Sequence, residues 1–303
     1  MIIPFEKYNG LGNDFIFIDG MNSPVELTVQ QVAFLCDRHF GIGADGVIVV
    51  DPCQEADGYM RYINSDGTFA QMCGNGVRCF AKYLVDHGYV DSSRGTLVAQ
   101  TLAGPKSITF EVDEHGEMTS ATVEMGVPVL NPPDVPCLLQ ATRLADGSPA
   151  AVEVPLDTPW GVLRFTAVSM GNPHAVCFID DFSQLPDGLF SNPEVKDLRG
   201  LRLDEIGRWV EGNQAFPEKA NAEFACVGPD CISMRVYERG CGETLACGTG
   251  ACATAVAAAL TGRTERSTRV ELKGGSLDID WGADGIVHMT GPAAFSFSGT
   301  INL

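Results

Sequence analysis

Several kinds of segment are missing from this chain of 303 residues. It opens MIIPFEKYNG, with no basic stretch leading into an apolar one, so a secretory leader is not expected. No apolar run approaches the roughly 20 residues that span a bilayer; the longest, around Ala251 to Leu260, is short and reads as a buried helix. Low-complexity tails and long charge blocks are absent, which argues against a disordered interaction protein. Basic charge is scarce: 20 Lys and Arg face 39 Asp and Glu, a net charge of -19. Binding to nucleic acid or to anionic membrane rests on Lys and Arg neutralising phosphate, so neither partner is expected. Any anionic part of a ligand must be held locally, by backbone amides or a single Arg.

Paired C-x-x-C spacing is also lacking among Cys226, Cys231, Cys241 and Cys247, so neither a structural zinc site nor any other metal is expected. The 11 cysteines are odd in number and suit the reducing cytosol rather than a disulfide framework. There is no Walker loop, no G-x-S-x-G elbow and no zinc-protease His pair. GIGADG, Gly41 to Gly46, satisfies G-x-G-x-x-G as a string. It follows a predicted helix and leads into a strand, the reverse of a dinucleotide site, and is read as a tight turn.

What is present is a repeat. Met60 to Gly76 (MRYINSDGTFAQMCGNG) and Met234 to Gly250 (MRVYERGCGETLACGTG) superpose without a gap, placing Cys73, Gly74 and Gly76 on Cys247, Gly248 and Gly250. A second echo precedes each: Gly12-Asn13 with Phe17-Ile18-Asp19, then Gly171-Asn172 with Phe178-Ile179-Asp180. The chain therefore reads as two related halves, each presenting a cysteine at a helix start. There, unclaimed amides and the helix dipole favour a thiolate and can cradle a carboxylate. The plainer alternative, two small buried residues, does not require the same Gly-flanked thiol twice. A thiol in each half suits a reaction that works on both faces of one carbon.

Strands are expected at Val47–Asp51, Ser107–Val112, Thr119–Met125, Val270–Leu272, Leu277–Asp280 and Ile286–Met289, mostly suited to antiparallel pairing. Helices are expected at Val29 to Arg38, capped by Thr28, at Gly76 to His87 with one broad apolar face, and at Gly250 to Leu260, apolar nearly all round. The crossover between halves is expected near Gly126 to Pro133. Asn13, Asn64, Asn172 and Asn221 sit beside Gly or strand-like sequence and could be turn residues or ligands. Glu238-Arg239 is either a solvated couple or, lying shortly before Cys247, a ligand pair. His174 in GNPH is a core histidine or an orienting group for a thiol.

In order along the chain, KYNGLGNDFIFID, HFGIGADGVI, NSDGTFAQMCGNGVRC, MGNPHAV, ERGCGETLACGTGACA and MTGPAAFSFSGTI resemble the diaminopimelate epimerases. The resemblance implies an α/β chain of the α+β type. It would have two pseudo-symmetric domains, each a curved, mainly antiparallel sheet around a central helix, with the site in the cleft between them. Residues 1–126 would form the first half, joined by a returning C-terminal strand at 291–303, and residues 127–290 the second. The implied activity is cofactor-independent interconversion of LL- and meso-diaminopimelate, toward lysine and peptidoglycan, in a cytoplasmic homodimer. Cys73 and Cys247 would be acid and base, with His174 and Glu238 tuning them. Asn13, Asn64, Asn172, Asn221, Glu238 and Arg239 would hold the substrate, with the amides of Gly74-Asn75 and Gly248-Thr249. Arg239 suits a bidentate grip on the distal carboxylate.

This chain departs from relatives in having Gly46 where some carry Gln, and Cys241 where an aliphatic residue is common. The nearest rival is a racemase of the same fold acting on another amino acid, against which Asn64 and Glu238-Arg239 count. From a different class, a thiol-redox or small-molecule-binding protein could use the same two cysteines.

Overall fold

The computed structural model describes residues 2–70 and 72–303. The chain divides into two compact units, residues 1–124 with 290–303 and residues 125–289. In the first, β1 (Ile2–Gly10) and β2 (Asn13–Asp19) are antiparallel, and β3 (Gly46–Asp51) is parallel to β2. β4 (Gly58–Asn64) is antiparallel to β3, β5 (Thr96–Thr101) is parallel to β4, and β6 (Gly104–Val112) and β7 (Met118–Gly126) continue antiparallel. The strand Ala294–Asn302 runs antiparallel along β1, with Ile2 opposite Asn302.

The second unit contains a short pair, β8 (Thr142–Arg143) with β9 (Pro149–Ala150). β10 (Val154–Thr158), β11 (Gly161–Ser169) and β12 (Pro173–Phe178) are successively antiparallel, and β13 (Asn221–Val227) is parallel to β12. β14 (Ile232–Glu238) is antiparallel to β13, and β15 (Gly242–Glu243) folds back on its end. β16 (Ser267–Leu272) is parallel to β14 and antiparallel to β17 (Gly275–Trp281); β18 (Val287–Gly291) precedes β19 (Ala294–Asn302). From β1 to β6 and from β11 to β17 the pairings follow one order: antiparallel, parallel, antiparallel, parallel, antiparallel. The mixed sheet with few helices matches the α+β expectation.

In each unit one helix is enclosed and another covers the opposite face. α2 (Gly74–Asp86) packs against β1 to β5, and α4 (Gly248–Leu260) against β11 to β14, β16 and β17. α1 (Val29–Cys36) covers Ile16, Ile18, Val47, Val49 and Ile63, while α3 (Leu203–Glu211) lies on β13 and β14. The alternate residues of β2 face α2, where Phe17 stacks on Tyr83 with ring centroids 5.5 Å apart. Helices on both faces explain why β2 and β3 read as unbroken apolar runs rather than as alternating ones. No helix among the described residues is long and apolar enough to cross a membrane.

Several element expectations need correction. α1 is capped by Thr28, as expected, through a capping box with Gln31. It ends at Cys36 rather than Arg38 because Asp37 leaves helical geometry and its carboxylate accepts from the amides of His39 and Phe40. α2 and α4 begin two residues early, at Gly74 and Gly248, so the glycines lie inside the first turn. A Cβ on Gly76 would stand 3.2 Å from Ile48, which shows that close approach to β3 is what the glycine provides. α2 is buried all round, including Arg78 and Lys82. Buried cations need partners: Arg78 donates to the carbonyls of Gly74 and Pro292, and Lys82 pairs with Asp86 at 2.8 Å. α3 was not expected, although Leu203, Ile206 and Val210 carry a helical spacing.

α3 supplies a test of packing. A Cβ on Gly207 would lie 2.4 Å from the Cβ of Tyr237. Gly207→Ala gains about 1 kcal/mol of helix propensity, but overpacking against a stiff strand position costs about 1–3 kcal/mol. The urea midpoint should fall; a raised midpoint would show that α3 shifts freely.

Candidate active site

Both repeated cysteines are N-cap residues. Cys73 has φ -138° and ψ 117°, Cys247 has φ -121° and ψ 108°, and neither side chain caps its helix. The sulfurs are therefore available for other contacts, beside first-turn amides that helix geometry leaves over. Each unit presents its own half-site.

In the first unit the Cys73 thiol donates to Asn13 Oδ1 at 3.5 Å, and Asn75 Nδ2 donates to the same oxygen at 3.3 Å. Asn13 Nδ2 donates to Asp45 at 2.6 Å, and Arg38 bridges Asp45 and Asp14 at 2.8 and 2.7 Å. Lys7 completes the chain, 2.7 Å from Asp14. Burial alone would raise the Asp14 carboxyl, but the bonds from Arg38 and Lys7 outweigh it and hold it below its ordinary value. Asn64 closes the turn after β4, its Nδ2 donating to Thr68 at 3.0 Å. It sits opposite Gly46, which neighbours Phe15 in the ladder. A Cβ on Gly46 would lie 2.5 Å from the Tyr62 ring, so Tyr62 occupies the space a Gln would need.

In the second unit Cys247 is buried, with Thr249 Oγ1 at 3.5 Å and Asn221 Nδ2 donating toward its sulfur at 3.9 Å. Asn221 Oδ1 accepts from the Arg239 amide at 2.8 Å. The Arg239 side chain is exposed and donates to the Glu218 carbonyl at 2.9 Å. Glu238 accepts from the Thr244 hydroxyl. His174 does not bond the thiol: its Nδ1 lies 2.6 Å from Glu223 Oε1, and its Nε2 lies 3.1 Å from Asn172 Oδ1.

Glu223 was missed in the sequence, although it stands two residues after Asn221 on the same side of β13, as His174 stands two after Asn172. A Cβ on Gly250 would lie 2.8 Å from Glu223 Oε1 and 3.3 Å from Cys247 Sγ, so carboxylate and thiol are neighbours. The helix start was expected to favour a thiolate. Instead burial pushes the Cys247 thiol well above its ordinary value, and the charges of Glu238 and Glu223 push the same way. Hydrogen bonds from Thr249 and the Gly250 amide favour the thiolate and do not offset this.

The family profile described as Diaminopimelate epimerase matches residues 5–131 and 166–296, which include both half-sites. The chain belongs to that family. Among its relatives, the diaminopimelate epimerase of Desulfitobacterium hafniense is 46% identical over 97% of this chain and 96% of its own. That of a Picosynechococcus species is 45% identical over the whole of both chains, and that of Leptospira biflexa 39%. The fold is shared more widely. A PhzF-family phenazine biosynthesis protein from Bacillus anthracis superposes with TM-score 0.65 at 15% identity, over the full length of both chains. A hydroxyproline epimerase from Agrobacterium vitis does so with TM-score 0.63 at 17% identity, covering 99% of this chain and 91% of its own. Glu238 and Cys247 both lie within the family match.

The raised thiol makes a prediction without substrate. Alkylation of Cys247 by iodoacetamide, followed by peptide mass spectrometry, should rise only well above the ordinary thiol range, and Glu238→Gln should move that rise to lower pH. An unmoved profile would remove Glu238 from the electrostatics of Cys247.

Proposed function

We propose that this chain interconverts LL-2,6-diaminopimelate and meso-diaminopimelate without a cofactor, by proton transfer through two thiols, as a step toward lysine and peptidoglycan precursors. The observation that carries this is a Gly-flanked N-cap cysteine in each of two similarly connected units, in a chain of the diaminopimelate epimerase family. Removing an α-proton from an amino acid without a cofactor sink leaves charge that only fixed dipoles can stabilise. The first-turn amides at Gly74-Asn75 and Gly248-Thr249 suit the α-carboxylate that bears it.

Cys247, held as a thiol, enters as the proton donor, and proton removal in that direction falls to Cys73. Return catalysis exchanges the roles. Asn13, Asn64, Asn172, Asn221, Glu238 and Arg239 are the proposed substrate contacts, with the Arg239 guanidinium as the fork for the distal carboxylate. His174 and Glu238 are proposed to tune the thiols, Glu238 by its charge. The half-exposed Phe295 and Phe297 of β19, paired with Tyr8 and Lys7 of β1, support a second copy of the chain as partner. We place the protein in the cytoplasm on its cysteine content, and the net charge of -19 supports a small-molecule substrate over nucleic acid or membrane.

The decisive assay uses LL-diaminopimelate in deuterated water with no cofactor. Early meso product should carry deuterium at the inverted centre while unreacted substrate carries much less, and starting from the meso isomer should reverse the asymmetry. Early product that keeps the substrate hydrogen in both directions would reject two thiols with separate roles. Arg239→Lys keeps charge but loses the two-point fork, so kcat/KM should fall about tenfold or more; an unchanged value would take Arg239 out of the site. Phe297→Asp should convert a dimer to a monomer in light scattering, and a wild-type monomer would refute the proposed partner.

A further inference from the structure

Two asparagines of the internal echo are held in opposite ways. Asn13 directs its amide nitrogen to Asp45 and turns its oxygen toward Cys73 and Asn75. Asn172 turns its oxygen toward His174, and its nitrogen meets no protein acceptor among the described residues.

Behind Asn172 lies a pair with no counterpart in the first unit. Phe15 faces Gly46 across the parallel ladder as His174 faces Asn221, which places Ile48 where Glu223 stands. Ile48 and Phe15 fill the space beneath the third residue of α2; Glu223 does so beneath α4. Hydrocarbon therefore satisfies this packing once, and the second unit keeps a carboxylate and an imidazole, both 0% exposed, in the same place.

We propose that Glu223 is a positioning residue which, through His174, fixes the Asn172 amide so that its nitrogen faces a substrate carboxylate. With the Asn172 oxygen toward the ring, His174 Nε2 must carry a hydrogen and donate it. One further proton then lies between His174 Nδ1 and Glu223 Oε1, and wherever it rests the pair is neutral overall. Turned the other way, Asn172 would donate to a bare Nε2 and Nδ1–H would face the carboxylate. That arrangement leaves either a net negative charge fully buried or a protonated Glu223 whose Oε2 hydroxyl meets no acceptor among the described residues. An unneutralised buried carboxylate is strongly disfavoured, so Glu223 selects the first arrangement and with it the end of Asn172 that a ligand meets. An amide N–H₂ suits a carboxylate, and an amide oxygen there would repel one.

The proposal rests on Asn172 being a substrate contact, and its test separates the two. Nitrogen NMR of the His174 ring in the substrate-free wild type, assigned against His174→Gln, should show a hydrogen on Nε2 across neutral pH. Glu223→Gln can still donate to Nδ1, so it should preserve that tautomer and keep KM for LL-diaminopimelate within about threefold. Glu223→Leu leaves Nδ1 without a partner, mixes the tautomers and should raise KM roughly tenfold or more, with a smaller change in kcat, the scale of one lost hydrogen bond to a charged group. A bare Nε2 in the wild type, or equal KM values in wild type and Glu223→Leu, would overturn the proposal. The NMR result stands even where Glu223→Leu fails to fold. A correct tautomer in an enzyme inert toward diaminopimelate would refute the proposed reaction and leave the positioning role intact.

Discussion

A helix buried on every side can offer chemistry only at its ends. α2 and α4 are enclosed in this way, and enclosure brings a constraint with it: the first amides of a helix have no partner within it. Both helices begin on a cysteine that leaves its side chain uncommitted as a cap. Both have glycine as their third residue, where a side chain would strike the strand beneath, so sheet and helix start approach more closely than any other residue would allow. The positions of the thiol, the amides and the strand residues below them follow from that contact.

The same frame carries different electrostatics in its two occurrences. Around Asn13 the charges form an extended ladder of Lys7, Asp14, Arg38 and Asp45, with cations interleaved between carboxylates. Around Cys247 two carboxylates lie close to a buried thiol: Glu238, which accepts from the Thr244 hydroxyl, and Glu223, whose partner is His174. A helix start contributes about 0.3–1 kcal/mol to a nearby anion, up to about 2 kcal/mol when partly buried. Full burial of a charge shifts an ionisation by several pK units, each worth about 1.4 kcal/mol. Desolvation therefore wins over the dipole at Cys247, and the thiol stays protonated until something changes its surroundings.

The two half-sites differ at several positions where the backbone repeats. Tyr62 fills the room beside Gly46, whereas the matching ladder position holds Asn221, which bonds the Arg239 amide and points its nitrogen at Cys247. Asn64 and Glu238 likewise occupy matching places, one closing a turn and the other adding charge near a thiol. Duplication supplied the scaffold, and divergence at a few inward-facing strand positions made the half-sites unequal.

The repeat, the paired cysteines, the α+β character and the family were legible in the sequence, because they depend on identity and spacing, which chain order preserves. The enclosed nature of α4 was legible too, since its residues are apolar all round; that of α2 was not, because Arg78 and Lys82 read as a solvent face until their carbonyl and carboxylate partners are seen. The end of α1 was hidden for a similar reason: Asp37 stops the helix through its own side chain. The pairing of His174 with Glu223 belongs to the fold alone. These two residues are far apart in sequence and meet only because β12 and β13 run side by side, and only their shared burial turns an ordinary histidine and glutamate into a neutral, orienting pair. Residue identity and spacing set which groups could react; which of them are charged and which way they face depends on the folded surroundings, because desolvation and hydrogen bonding are properties of those surroundings rather than of the residue.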